Sequence, residues 1–317
     1  MKKLTRAEAA AFLAANDGFA ILTHRRPDGD TVGSAALLCR GLRQLGKVAY
    51  ILENPEITPK YAPLHKGLTV SSVQEGDVLI AVDTASKGML PEAFAPLADS
   101  IALRIDHHGS AESFTDWELV EPEMAACGEI VYGVLRELGA ALDEPMADAL
   151  YTAVSTDTGC FRYANTTANT FRVAADCARV SKNLFALNQM YFQTNSLGRL
   201  RLQGWLVENA VFLQDGRAVI CALPKSVEEE LGLTEDDMEN ISGFPRTIDG
   251  VKLAATIRQE GENKVKISVR AAPGCDAAAI CAKFGGGGHK GAAGASMTCS
   301  MEEAAAALKA AICEIPL

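Results

Sequence analysis

The sequence contains no apolar run that approaches the ~18–20 residues a membrane-spanning helix needs, so we expect no membrane-spanning segment. It also lacks a Cys-x-x-Cys pair, and its nine cysteines are scattered, most of them among small or aliphatic residues, so they predict no zinc site. An odd number of cysteines favours reduced thiols in a cytoplasmic protein over a disulfide framework. The first eight residues lack the apolar core of a signal peptide, which agrees with that expectation.

A basic excess is missing as well. The chain has 30 Lys and Arg against 40 Asp and Glu, a net charge of −10, which argues against a protein that tracks long duplex nucleic acid. No Walker A pattern occurs. Histidine is scarce, with five in the chain, and His65 has no polar companions and is expected at the surface.

The 317 residues, 48% of them hydrophobic, are expected to form two globular domains at ~150 residues per domain. Short apolar runs at 19–23, 48–52, 78–82 and 101–105 alternate with helical patterns. This alternation predicts an α/β domain, a mostly parallel sheet flanked by helices, over residues 1–185. A helical connector at 186–208 leads to a smaller α+β domain at 209–317, in which residues 264–270 alternate polar and apolar side chains.

The densest polar segment, residues 23–34, follows the first predicted strand and opens a helix. It contains His24, Asp28 and Asp30, and the two carboxylates stand on either side of a glycine, so each could serve a different cation. An Asx-turn and helix N-cap built around Asp28 explains the same residues without a ligand. The segment alone does not decide between the two interpretations.

Three further segments carry the same chemistry. Asp83 ends an apolar strand, Asp106-His107-His108 follows the next one, and Asp157 lies at a helix end. Each has a structural alternative, such as a turn or a cap. Adjacent histidines on an extended chain point to different sides, so at most one of the pair is expected to bind a given ion.

Together these segments place carboxylates and imidazoles at one edge of the predicted sheet, where open α/β sheets bind ligands. A two-cation centre needs a bridging carboxylate and several terminal ligands. Imidazole mixed with carboxylate favours Mn²⁺ over an all-oxygen Mg²⁺ site. The candidate ligands are His24, Asp28, Asp30, Asp83, His107 and Asp157.

Near the C-terminus, four glycines at 285–288 precede His289 and Lys290. The glycines would let the backbone approach a phosphate, and the two basic residues would supply charge; a flexible linker is the alternative. The run follows a predicted helix rather than a strand, which argues against dinucleotide binding. Arg270 at a strand end and the segment Phe161-Arg162-Tyr163 are further candidates for contact with a phosphate or a base, or are ordinary surface and core residues.

The motifs Thr-His-x-x-Pro-Asp-Gly-Asp-x-x-Gly-Ser, Val-Asp-Thr, Asp-His-His and Thr-Asp-Thr-Gly resemble, in order and spacing, those of the DHH phosphoesterase superfamily. The Gly-Gly-Gly-Gly-His segment resembles that superfamily's associated C-terminal domain. The length and layout are similar to the bacterial group that degrades short oligoribonucleotides and dephosphorylates 3′-phosphoadenosine 5′-phosphate (pAp).

This resemblance implies two divalent cations, most naturally Mn²⁺: His24, Asp28 and Asp83 would hold one, and Asp30, His107 and Asp157 the other, with Asp83 bridging. Asp106 would orient a histidine and His108 would contact the scissile phosphate. The resemblance further implies a substrate-gripping set in the second domain, namely Arg270, Gly287, Gly288 and His289. The expected partners are short single-stranded oligonucleotides or pAp; a homodimer is compatible with the sequence.

Three alternatives stay open at this point. A phosphodiesterase of linear or cyclic dinucleotides resembles the same pattern, and a manganese inorganic pyrophosphatase resembles its first domain. The third is a nucleotide-binding module with a vestigial metal site, which the complete ligand set disfavours.

Overall fold

The computed structural model describes residues 2–109, 113–238 and 240–317. The chain forms two compact units, Met1–Thr194 and Asn195–Leu317, and their division falls inside the segment 186–208 that we interpret as a connector. Among the described residues, no helix combines the length and the apolarity needed to cross a bilayer.

The first unit is built on a seven-stranded, entirely parallel sheet in the order β1-β7-β6-β5-β2-β3-β4. Its strands are β1 Lys2–Lys3, β2 Phe19–Leu22, β3 Ala49–Leu52, β4 Thr69–Val70, β5 Val78–Val82, β6 Ile101–Asp106 and β7 Trp117–Val120. From β2 the chain proceeds outward to β3 and β4, then returns to place β5 on the other side of β2. Such a switch point is where open α/β sheets bind ligands, just beyond the carboxyl ends of the strands.

In the described part of this unit, six α-helices accompany the sheet: α1 Arg6–Ala15, α2 Gly29–Gln44, α3 Cys127–Glu137, α4 Glu144–Asp157, α5 Ala168–Val180 and α6 Leu184–Asn188. Both faces of the sheet are covered. In β2, Phe19 and Ile21 pack into one hydrophobic cluster, whereas Ala20 and Leu22 pack into another. Burial on both faces explains why the strand sequences are continuously apolar, and the predicted α/β class is confirmed.

His65 corrects one expectation. Its side chain is buried, with Nε2 3.0 Å from the carbonyl oxygen of Val32 in the first turns of α2. Burial lowers the pKa of His65 to about 4, so the imidazole is neutral and donates to that carbonyl. The predicted surface position is wrong because the hydrogen-bond partner is a backbone group 33 residues away, which no side-chain pattern reveals.

The second unit contains a six-stranded mixed sheet in the order β12-β13-β11-β10-β9-β8, in which the β9–β10 pair is parallel and the other pairs are antiparallel. Its strands are β8 Val211–Leu213, β9 Ala218–Leu223, β10 Leu253–Gly261, β11 Lys264–Ala271, β12 Gly287–Gly288 and β13 Ala292–Met297. Its helices are α7 Leu197–Glu208, α8 Lys225–Glu230, α9 Glu235–Met238, α10 Ala277–Ala282 and α11 Met301–Cys313. The glycine cluster therefore enters a hairpin, β12–β13, rather than a free linker.

Candidate metal centre

His24 lies just beyond the end of β2 and is 7% exposed. Its Nδ1 is 2.8 Å from the carbonyl oxygen of Arg25, which can only accept, so Nδ1 carries a proton and Nε2 is the nitrogen left to face a cation. Nε2 is 3.7 Å from Asp28 Oδ1 and 3.6 Å from Asp83 Oδ2. A backbone contact that fixes the tautomer in this way is typical of a histidine that binds a metal.

Asp28 and Asp30 lie at the start of α2 and have different hydrogen-bond partners. Asp28 caps the helix, with Oδ1 accepting from the backbone N–H groups of Asp30 and Thr31, so the predicted cap is present together with the approach to His24. Asp30 is 1% exposed, and its two oxygens accept from the N–H groups of Cys127 (2.6 Å) and Gly128 (3.0 Å) at the start of α3. This holds the Asp30 carboxylate in one orientation.

Asp83 follows β5, is 2% exposed and has a φ of 53°, a left-handed conformation that a side chain rarely adopts. Its Oδ2 faces His24 Nε2, and its Oδ1 is 3.4 Å from His107 Nε2. Oδ1 is buried and has no hydrogen-bond partner among the described residues. A buried carboxylate oxygen without a partner is costly, and a bound cation would satisfy it.

The histidine pair follows β6, and the two rings are inclined at 60° with centroids 4.7 Å apart. His107 is held through Nδ1 by the carbonyl oxygen of Met124 at 3.2 Å, and its Nε2 is 3.7 Å from Asp30 Oδ2 and 3.7 Å from Asp157 Oδ2. His108 contacts Asp106 Oδ1 through Nδ1 at 2.8 Å. The two rings therefore face Asp83 Oδ1 through different nitrogens, His107 Nε2 at 3.4 Å and His108 Nδ1 at 3.7 Å.

Asp157, the last residue of α4, reaches this group because α2 and α4 pack closely. A Cβ added to Gly33 would lie 2.4 Å from the carbonyl oxygen of Ala149, and one on Gly29 would lie 2.3 Å from Thr156 Oγ1. Glycine at these two positions allows α2 and α4 to pack closely. This packing brings the carboxylates of Asp30 and Asp157 to the imidazole of His107.

Three sets of side chains offer ligand atoms that lie within 4.8 Å of one another: His24, Asp28 and Asp83; Asp30, His107 and Asp157; and Asp83, His107 and His108. Asp83 belongs to two sets that face different histidines. All six candidate ligands are thus brought together in the first unit, in sets linked by Asp83 and His107.

The electrostatics of the group favour bound cations. Burial, together with the charges of Asp83 and Asp157, raises the pKa of Asp30 well above its ordinary value, and burial raises the pKa of Asp157 to about 7. Burial alone would lower the pKa of His24 and His107, but the adjacent carboxylates raise each to about 11. A divalent cation would offset the crowded negative charge that produces these shifts.

Asp106, which contacts His108, is itself held by Arg104, a residue that the sequence motifs do not include. Arg104 is 1% exposed, and its Nη2 is 3.2 Å from Glu118 Oε2 while its Nη1 is 3.8 Å from Asp106 Oδ2. A signal for these contacts is present in the sequence. Arg104 lies within an apolar strand, and a buried guanidinium requires a buried carboxylate partner.

The four candidate substrate residues lie together in the second unit. Arg270 of β11 is paired in register with Ala292 of β13, and the N–H of His289 donates to the carbonyl oxygen of Ala292 at 2.8 Å. Gly287 and Gly288 form β12, and Gly288 has a φ of 142°. A Cβ at Gly288 would lie 2.6 Å from the Ala292 oxygen, so only glycine fits this turn. His289 at its tip is exposed.

Comparison with known proteins identifies the family. Residues 18–154 match the model of the DHH family, N-terminal domain, and residues 216–315 match the DHHA1 domain. The chain is 33% identical over 280 residues, 87% of its length and 83% of the relative's, to the bifunctional oligoribonuclease and PAP phosphatase NrnA of Thermus thermophilus. The chain belongs to the DHH family.

Two further similarities agree with this assignment. The protein of the same name from Bacillus subtilis is 27% identical over 288 residues, 87% of this chain and 89% of the relative. The crystal structure of an exopolyphosphatase-related protein from Bacteroides fragilis superposes with a TM-score of 0.87 at 23% identity, covering 98% of this chain and 96% of that one. The latter shows the shared fold. The resemblance inferred from the motifs is confirmed.

Proposed function

We propose that this protein is a metal-dependent phosphoesterase that hydrolyses short oligoribonucleotides to mononucleotides and dephosphorylates pAp to AMP. The observation that carries the proposal is the Asp83 carboxylate, whose two oxygens face His24 on one side and His107 on the other. The names of the DHH family relatives with similarity over most of their length support the substrate class.

The residues fit two divalent cations, because the buried Asp83 Oδ1 has no hydrogen-bond partner among the described residues and both histidines are held through Nδ1, which leaves Nε2 to face a cation. We assign His24, Asp28 and Asp83 to one cation, and Asp30, Asp83, His107 and Asp157 to the other. The mixture of imidazole and carboxylate favours Mn²⁺. When bound, such a pair neutralises phosphoryl charge and lowers the pKa of an attacking water.

The other residues position substrate. The hydrogen bond from Nδ1 of His108 to Asp106, aided by the charge of Asp83, outweighs burial and raises the pKa of His108. A protonated His108 keeps Nδ1–H on Asp106 and offers Nε2–H to a phosphate or leaving oxygen. Asp106 fixes the ring, since its Oδ1 also accepts from the N–H groups of His107 and His108.

In the second unit, we assign substrate binding to Arg270, Gly287, Gly288 and His289, because open space lies where Gly287 would carry a side chain, so that a phosphate could approach the backbone there. The acidic net charge of −10 is compatible with a substrate of few phosphates, since much of the local negative charge lies where cations would bind.

We expect His289→Ala to raise KM for a short oligonucleotide roughly 10-fold, the scale of one charge-assisted hydrogen bond. KM for a small artificial phosphodiester, which has no second phosphate to bind, should change less. Steady-state kinetics on both substrates measure the difference. Equal effects on the two would contradict a substrate-gripping role.

A product assay tests the function as a whole. The protein is incubated with Mn²⁺ and, separately, pyrophosphate, pAp, pApA and a labelled RNA pentamer, and the products are separated by chromatography. We expect mononucleotides from the pentamer and AMP from pAp. Hydrolysis of pyrophosphate alone, or of pApA alone, would replace this proposal with one of the two alternative enzymes, which the comparisons do not favour.

A further inference from the structure

The turn after α4 is strained and firmly held. Gly159, Cys160 and Phe161 have successive φ values of 55°, 58° and 62°, and two of the three carry side chains. The N–H of Cys160 donates to the carbonyl oxygen of Ser155 at 2.6 Å, and that of Phe161 donates to Thr158 Oγ1 at 3.1 Å. Left-handed backbone at residues other than glycine costs free energy and persists where the surroundings enforce it, often at functional sites.

This turn fixes the ring of Tyr163. A Cβ built on Gly159 would lie 2.3 Å from Cζ of Tyr163 and 2.5 and 2.6 Å from its two Cε atoms, so one face of the ring rests on the glycine. The Tyr163 N–H donates to the carbonyl oxygen of Thr158 at 3.0 Å. The residue is nevertheless 58% exposed, which leaves the rest of the ring open to solvent.

The segment that carries this ring is tied to the candidate metal ligand Asp157. Asn165 donates from Nδ2 to the carbonyl oxygens of Asp157 at 3.2 Å and Ala125 at 3.1 Å, so the segment folds back onto the candidate ligand Asp157. Phe161, the other aromatic residue of the segment, has a packing role: it contacts the rings of Phe171 and Tyr151 with centroids 5.6 and 6.0 Å away. Tyr163 has no such role in the hydrophobic core.

We propose that Tyr163 is the stacking platform for the base of a nucleotide whose phosphate lies at the metal centre. This inference rests on the proposed function and adds to it a base subsite in the first unit. A fixed aromatic ring with one face covered and the other open accepts any base, because every base has a π-face. It would also distinguish nucleotides from phosphate esters that have no base.

The test compares AMP with ribose 5-phosphate, which lacks the base and, like AMP, is not a substrate for the proposed reaction. Dissociation constants are measured by calorimetry with Mn²⁺ for the wild type, Tyr163→Ala, Tyr163→Phe and Phe171→Ala. Phe171 is the matched control, since it is an aromatic residue that is also 58% exposed. We expect Tyr163→Ala to weaken AMP binding about 10-fold, the scale of one lost base stack, and to leave ribose 5-phosphate unchanged. Tyr163→Phe and Phe171→Ala should resemble the wild type.

The inference is overturned if Tyr163→Ala affects both ligands equally or neither, or if the wild type binds AMP no more tightly than ribose 5-phosphate. A thermal melt shows whether each variant is folded, and Tyr163→Leu replaces the alanine variant if that one is not. Hydrolysis of pAp is followed in the same preparations. A wild type that binds AMP through Tyr163 but hydrolyses neither pAp nor RNA would overturn the proposed function and leave the stacking contact standing.

Discussion

Asp83→Asn is expected to lower kcat/KM for every substrate by about 1,000-fold or more, because it removes a carboxylate that faces both His24 and His107. The amide has the same shape, so the fold should persist. It carries no negative charge, and one of its two ends must be an NH₂ donor, which repels a cation. Both cations would therefore bind more weakly.

Two measurements check this expectation. Equilibrium dialysis with Mn²⁺ should show fewer bound ions per chain in Asp83→Asn than in the wild type, and rates are measured on pAp and a short RNA. Asp99→Asn is the matched control, since the Asp99 side chain is 88% exposed and pairs with Lys87 instead. Wild-type turnover in Asp83→Asn, with two ions still bound, would refute the assignment of Asp83 as the bridging ligand.

Arg104→Met is expected to lower the free energy of unfolding by about 3–5 kcal/mol, because it leaves buried carboxylates without their partner charge. Glu118 is 2% exposed and Asp106 is fully buried, and both face the Arg104 guanidinium. Nη1 of Arg104 also donates to the carbonyl oxygen of Ala85 at 3.1 Å, which ties β6 to the segment that follows β5.

Urea unfolding followed by circular dichroism measures the loss. Arg179→Met is the control: Arg179 pairs with Asp176, but its side chain is 72% exposed, and surface pairs contribute about 0–1 kcal/mol. Adding Glu118→Gln to Arg104→Met should restore part of the stability, since it removes one of the buried carboxylate charges that the first substitution leaves unpaired. Equal losses for Arg104→Met and Arg179→Met would show that the buried network contributes no more than a surface pair.

Much of the candidate centre was predictable for a topological reason. Buried parallel strands are read from continuous apolar runs, and their carboxyl ends meet at one edge of a sheet. The residues that follow such runs could therefore be grouped from the sequence alone, namely His24, Asp83 and His107. The order of the strands was not predictable in the same way, since it depends on which side of β2 the chain places β5.

The alternating pattern also predicted the two kinds of sheet, but it missed the β12–β13 hairpin. Residues 287–288 and 292–297 consist of Gly, Ala, Ser and Met, and glycine and alanine have low strand propensity. They form strands because β13 pairs with the edge of β11, and β12 then pairs with β13. Tertiary context determined this element.

The sequence by itself determined the chemistry of this protein, because the types of side chain, their order and their place after apolar strands are properties of the chain. Tertiary structure alone decided the orientation of each group. The backbone N–H of Cys127 at the start of α3 orients the carboxylate of Asp30. One oxygen of Asp83 faces His24 and the other faces His107. The buried side chain of His65 donates to the carbonyl oxygen of Val32. Such contacts join residues far apart in the chain, and their distances and angles come from packing rather than from local pattern.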